Sequence, residues 1–465
     1  MNNITSEDIS LLTDLYELTM AQSYFHENHD DQAVFSLFIR KYPPHRGYFV
    51  SCGLEDVLHF LEQLRFSSKA VDQLHKTSIF SDEFLDYLKG LRFTGEVRAV
   101  PEGRLFFVDE PILEVTAPII EAQIVETFII NQINLQSTIA TKAARCVHAA
   151  HGRNLVDFSL RRTQGIDAGM KAAKASYITG FTATSNVLAG INYGIPLSGT
   201  MAHSYISSYE HEIEAFRAFA RNFPERSILL IETYDAVTGA HKAVEVAAEM
   251  DKRGEKLQGV RIDSGDLQTL GREVRRILDE AGFKDVQIIG SGGLDEFELE
   301  ELSGGNAPYD AYGIGTKMGV SGDAPWTDMA YKLVRYADRP VLKLSTSKIS
   351  LPDAKQVYRC KENGCLHHDV IALKNEKLAN SEPMLKQYMS EGRITIPLPC
   401  LQEIREQCMK ELNSLADQYQ AIRDPAAYPV YLSPKLKYLR DSTEHKTEIE
   451  EVEIPKQHLR DLGES

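Results

Sequence analysis

The chain has 465 residues, 43% hydrophobic and 25% charged, with a formal net charge of -16. Such a length and composition fit two or three packed domains, or one large barrel with additions, and exclude a disordered chain or a repeat array. The negative surplus repels phosphate backbones, so nucleic acid is not an expected partner and any anionic ligand needs a local basic pocket.

Residues 1–10 carry Glu7 and Asp8 where a leader would carry Lys or Arg before an apolar run. The most apolar stretch, 118–133, is interrupted by Glu121 and Glu126, so a cytoplasmic protein without a membrane span is expected. The cysteines at 52, 146, 360, 365, 400 and 408 are too few and scattered for a disulfide framework. Cys360, Cys365, His367, His368 and Cys400 are zinc-ligand types. The wide spacing and the missing second CxxC favour ordinary thiols, and no resident metal is expected.

In chain order, residues 11–25 read as a helix capped by Ser6, with Leu11, Leu15, Leu18 and Gln22 on one face. Tyr16, Met20 and Tyr24 form a second face, free to meet something else. Residues 33–40 alternate as a strand, 53–65 read as a helix, and 93–120 as strands punctuated by Gly95, Pro101, Gly103, Pro111 and Pro118. Residues 1–120 therefore read as an N-terminal α+β domain.

From 121 a long helix runs through Arg145, and short apolar runs then alternate with helical stretches. The runs are 155–158, 180–185, 195–199, 227–232, 259–262, 286–290 and 311–314. Each is too short for a helix, and strands alternating with helices make a parallel sheet; roughly seven such units close into a barrel. The predicted architecture is α/β: an irregular, TIM-like α/β barrel over 121–340. An open Rossmann-like sheet is the alternative, although its glycine fingerprint is missing. Beyond 341, strands near 341–345, 355–360 and 369–373 and a helix over 401–420 form a C-terminal accessory region, 341–465, whose charged end from 442 is expected to be mobile.

In a parallel barrel the reactive groups gather just after each strand. Gly292 and Gly293, and Gly313 and Gly315 followed by Thr316 and Lys317, allow backbone N–H groups to approach a phosphate, with a helix N-terminus behind. The same glycines also serve as tight strand-to-helix turns. Arg161, Arg162 and Arg261 are suited to bidentate capture of carboxylate or phosphate. Glu232, Asp235, Asp263 and Asp266 are oxygen donors for Mg2+ or ribose hydroxyls, or caps of the helices that follow, the capping role being favoured for Asp266. His203, in the small-residue stretch before Ser204, is an acid, base or nucleophile candidate.

The segments LLTDLYELTM, FSLRRTQGIDAGMKAA, SGTMAHSY, GVRIDSGDL, GSGGLDE and YGIGTKM, in this order, resemble the nicotinate phosphoribosyltransferase family. The resemblance implies a type II phosphoribosyltransferase that joins nicotinate to phosphoribosyl pyrophosphate with Mg2+, coupled to ATP hydrolysis in NAD salvage. It also implies a homodimer with shared active sites. By it, His203 is the phosphorylated histidine, Tyr16 reaches the neighbouring subunit's site, and Phe158 is the opposite wall of the pyridine ring. Arg261 and Thr200 fall on nicotinate contacts, and Arg161, Thr316 and the glycines 292, 293, 313 and 315 on sugar-phosphate segments. Two features qualify it: Glu232 stands where family members often carry Asp, and Ser185 lies in the stretch where nicotinamide-using relatives carry an acid. The missing acid favours nicotinate, whose carboxylate a buried anion would repel. Nicotinamide and quinolinate phosphoribosyltransferases remain the enzymatic alternatives, and a non-catalytic phosphate-sugar binder the alternative outside catalysis.

Overall fold

The computed structural model describes residues 7–344 and 350–455, so the Ser6 cap lies outside them. The strand Gln32–Ile39, buried at every position but the first, lies inside a seven-stranded sheet between antiparallel Met329–Tyr336 and Leu113–Pro118. Against it packs an apolar cluster that includes Leu58, Leu61, Phe84 and Leu88 from helices Leu54–Gln63 and Asp82–Gly90. Ser67 and Ser81 cap Ser68–His75 and Asp82–Gly90, two helices that the sequence pattern does not reveal. The same sheet takes strands Lys386–Ser390 and Arg393–Ile394, so it crosses the segment limits at 120 and 340.

The first helix is Leu15–His26, preceded by a 3-10 turn, Ile9–Leu11. Its buried residues are Glu17, Leu18 and Ala21, and Leu15, expected inside, is 54% exposed. Polar capture explains this rotation. The Glu17 carboxylate accepts the Thr127 N–H at 3.0 Å and its hydroxyl at 2.6 Å, at the start of helix Glu126–Ala149. An acid so bonded can be buried where a pattern of apolar residues places it outside.

In the C-terminal region, Lys355–Glu362 and Cys365–Leu373 form an antiparallel pair flanked by Glu382–Pro383 and Val430–Leu432. The strand expected near 341–345 does not form over 341–344, and residue 345 lies outside the described residues. The helix expected over 401–420 breaks into Leu401–Ser414 and Asp417–Gln420. Part of the charged end expected to be mobile is ordered as helix Pro434–Glu448, whose Leu436 is buried in a small apolar cluster; residues 456–465 are not described.

The central unit is a six-stranded parallel sheet in the order Ala183–Thr184, Asn154–Asp157, Ala311–Ile314, Gln287–Ser291, Gly259–Ile262, Ile228–Leu230. Both-sided burial accounts for its near-continuous apolar strands, such as Val260, Ile262, Leu229 and Leu230. Six of the seven expected runs are strands; the seventh, 195–199, adds a single parallel bridge, Leu197 to Thr184. The sheet curls into a half-barrel, and among the described residues it stays open between Leu197 and Ile228–Leu230. All six strands run the same way, so their C-terminal ends share one rim.

Candidate active site

His203 opens helix His203–Ser207, in the segment that follows the Leu197 bridge. Its Nε2 lies 3.2 Å from Glu232 Oε1 and 3.9 Å from Asp263 Oδ2, and its Nδ1 lies 3.2 Å from the Thr233 hydroxyl. Both ring nitrogens thus have defined neighbours, which fixes the imidazole plane. Two serines hold the carboxylates: Ser264 donates to Glu232 at 2.6 Å, and Ser291 donates a short hydrogen bond to Asp263. Glu232 Oε1 is buried and lacks a hydrogen bond of its own beyond the histidine contact. Among the described residues, His203, Glu232 and Asp263 are the one group of three such side chains whose ligand atoms lie within 4.8 Å of each other.

Beside them, Arg261 extends from strand Gly259–Ile262 and donates to the Thr200 hydroxyl and the Met201 carbonyl, each at 3.1 Å. Its guanidinium stands 6.0 Å from the centre of the Phe158 ring. Burial pulls the Arg261 pKa down, against the carboxylates of Asp263 and Glu232, yet a guanidinium keeps its charge. Its Nε is buried without a partner, a donor facing desolvation unless something accepts from it. A cavity of about 410 Å³ brings together Phe158, Arg161, Ser185, Thr200, His203, Arg261 and Asp263. That volume suits one small organic ligand.

The rim glycines serve chain packing as well as access. A Cβ on Gly313 would come within 2.4 Å of the Phe158 ring, and one on Gly315 within 3.0 Å of the Phe158 carbonyl. Gly292, at φ +96°, passes so close to Asp263 that a Cβ would lie 1.7 Å from its carbonyl oxygen. Gly293 is left-handed at φ +70° with open space beside it. The expected helix dipole behind Gly292 and Gly293 is already used. Asp295 caps helix Glu296–Gly304 in a reciprocal box with Glu298, and Lys317 pairs with Glu298 at 2.6 Å instead of standing free. After Gly315 the short helix Thr316–Gly319 has no side-chain cap, and Thr316 is exposed.

Of the four rim carboxylates, two cap helices. Asp235 accepts the Thr238 N–H at 2.8 Å, and Asp266 accepts those of Gln268 and Thr269 at 3.1 and 3.3 Å. Hydrogen bonds from Thr238 and Thr269 hold the two acids below the usual carboxylate range. Asp235 therefore stands outside the His203 cluster. Ser204 and Arg162 are exposed, and Tyr16 sits 47% exposed on the N-terminal helix without lining the cavity. Cys360 is half-buried, Cys365 and Cys400 are exposed, and with His367 and His368 they do not gather three ligand atoms within 4.8 Å.

Three family signatures match the chain: the nicotinate phosphoribosyltransferase N-terminal domain over residues 11–134, the nicotinate phosphoribosyltransferase family over 153–334, and the C-terminal domain over 377–440. A nicotinate phosphoribosyltransferase of Mycobacterium tuberculosis is 44% identical over 429 residues, 92% of each chain. The chain belongs to the nicotinate phosphoribosyltransferase family. The Bacillus subtilis nicotinate phosphoribosyltransferase is 35% identical over 461 residues, covering 92% of this chain and 93% of the relative. The crystal structure of human nicotinic acid phosphoribosyltransferase superposes with a TM-score of 0.84 at 29% identity, over 92% of this chain and 99% of that one.

Membership makes the chain an enzyme of NAD salvage that uses phosphoribosyl pyrophosphate. Among the described residues no helix is long and apolar enough to cross a membrane. Of the residues singled out in the sequence of this nicotinate phosphoribosyltransferase family member, His203, Glu232, Asp263 and Arg261 lie together, whereas Asp157, Thr184, Ser291 and Thr233, which hydrogen-bond around them, carry no motif signal of their own. The available signal is position, since Asp157, Thr184 and Ser291 each end a central strand and Thr233 follows Ile228–Leu230 by three residues.

Proposed function

We propose that the rim cavity is the site of phosphoribosyl transfer to nicotinate, with His203 as the residue that ATP phosphorylates. The observation that carries this is His203 held between Thr233 and the Glu232–Asp263 pair, next to a pocket whose buried Arg261 has an unpartnered Nε. The pyridine ring lies against Phe158, its carboxylate meets Arg261 and Thr200, and the partner subunit's Tyr16 closes the other face. Ser185 leaves no anion to repel that carboxylate. Arg161, Gly293 and the open N-terminus of Thr316–Gly319 face the sugar phosphates.

In the transfer, the bond from the anomeric carbon to pyrophosphate breaks and its electron pair leaves with pyrophosphate. The ring nitrogen lone pair closes on the same carbon from the opposite face. The chain's contribution is alignment and fixed charge. Mg2+ fits the oxygen donors Glu232 and Asp263, the former with an unfilled oxygen, and would offset phosphate charge there. Phosphorylating His203 adds negative charge beside these two acids, reordering the segment that carries Thr200 and Met201. A homodimer with shared sites accounts for the exposed Tyr16.

The test is nicotinate mononucleotide formation from phosphoribosyl pyrophosphate and Mg2+, with and without ATP. ATP should accelerate the wild type, whereas His203→Ala should keep a basal rate that ATP no longer raises. Intact ATP stimulation in that variant removes His203 from the role.

A further inference from the structure

We propose that Asp157 is a positioning residue that sets two walls of the nicotinate pocket, Phe158 and Ser185, through one buried carboxylate. The inference rests on the reading of that cavity given above. Asp157 ends strand Asn154–Asp157 and is 1% exposed. One carboxylate oxygen accepts the Ser159 N–H at 2.8 Å, closing a turn around Phe158. The other accepts the Thr184 hydroxyl at 2.7 Å. That hydroxyl oxygen accepts the Asn186 N–H at 3.0 Å, closing an equivalent turn around Ser185. The Ser185 N–H returns to the Asp157 carbonyl at 2.9 Å. The central residues of both turns line the cavity.

Strand cohesion does not call for this carboxylate. The backbone ladder already pairs Asp157 with Ile314 on one side and Thr184 on the other, and the Phe158 N–H goes to the Ile314 carbonyl at 2.7 Å. An acid buried among hydroxyls and amides is also a poor choice for stability, because desolvation disfavours its charge. What the carboxylate adds is a fixed relation between the aromatic wall and the residue facing the ring substituent. Supports of this kind hold a binding constellation to the tolerance that binding needs.

The experiment compares KM for nicotinate, KM for phosphoribosyl pyrophosphate, and the preference for nicotinate over nicotinamide, together with thermal melting. Asp157→Ala should raise the KM for nicotinate roughly tenfold or more and leave that for phosphoribosyl pyrophosphate within about twofold. Asp157→Asn keeps an acceptor for the Ser159 N–H and should recover most of the loss. Thr184→Val cuts only the arm to Ser185 and should narrow the nicotinate preference by roughly fivefold. If Asp157→Ala does not fold, the Asn and Val variants decide. Both KM values rising in step with lost melting temperature, or an unchanged preference in Thr184→Val, overturns the proposal. Phe158→Ala separates the two levels: an unchanged nicotinate KM there refutes the pocket reading and this inference with it. A raised KM there beside normal values for the Asp157 variants refutes the inference alone.

Discussion

Gly313 shows how a single missing side chain shapes the rim. The Phe158 ring occupies the space of its absent Cβ, so Gly313→Ala forces the ring or the strand to move. Overpacking of this kind costs about 1–3 kcal/mol. The expected outcome is a lower melting temperature with a raised KM for nicotinate, and an unchanged KM would place Phe158 outside the pocket. Glu17 titrates where few acids do. Burial lifts it from 4.5 to about 7, against hydrogen bonds from Thr127 and Thr13 and with help from Glu126. The folded chain therefore keeps a proton that the unfolded chain releases. Stability from this group is full below pH 4.5 and is lost as pH rises through about 7. Urea unfolding at about pH 5 and about pH 8 should show a decline in the wild type that Glu17→Gln reduces. Equal declines in the two proteins would refute the account.

Among the elements, the parallel strands were the most legible. Each is a short apolar run ending in polar or glycine residues, and burial on both faces enforces that pattern. The 195–199 run has the same composition but makes only one bridge, because strand pairing depends on the geometry of neighbours that no local pattern encodes. On the first helix Leu18 is buried and Tyr16 exposed as the pattern predicts, but Leu15 is exposed and Glu17 buried for a related reason: Glu17 accepts hydrogen bonds from Thr13 and, over a hundred positions away, from Thr127. Asp235 and Glu232 look alike in sequence, and only the turn after the strand separates the cap from the histidine's partner. Asp266 caps Leu267–Glu280, so Asp266→Ala should lower stability by about 1 kcal/mol with kcat nearly unchanged. Chemical denaturation and steady-state kinetics on the same preparation measure both, and a large fall in kcat would place Asp266 among the reacting groups instead.

At the scale of the whole molecule, the proposed dimer has a quantitative signature. Leu12, Leu15 and Tyr16 expose 41%, 54% and 47% of their surface on one short stretch of chain. If Tyr16 completes the other subunit's pocket, a Tyr16→Ala chain and a His203→Ala chain are each weak alone. Unfolded together and refolded, half of the dimers are hybrids, and each hybrid holds one intact site, so ATP-stimulated activity should recover to about a quarter of the wild type. No recovery in a mixture shown to contain hybrids would mean that each subunit is self-sufficient.

Among the described residues, the opening between Leu197 and Ile228–Leu230 leaves the half-barrel one sector without a hydrogen-bonded ladder, and the segment carrying Thr200, Met201 and His203 lies between these two edges in the chain. A closed barrel resists local displacement because every strand is clamped from both sides. In the role proposed for His203, the chain that receives the phosphoryl group runs between two sheet edges that are unpaired among the described residues. On that reading, charge added at the imidazole would act first on its own segment, whose Thr200 and Met201 accept hydrogen bonds from Arg261. The missing strand pairing would then let the wall work as an actuator.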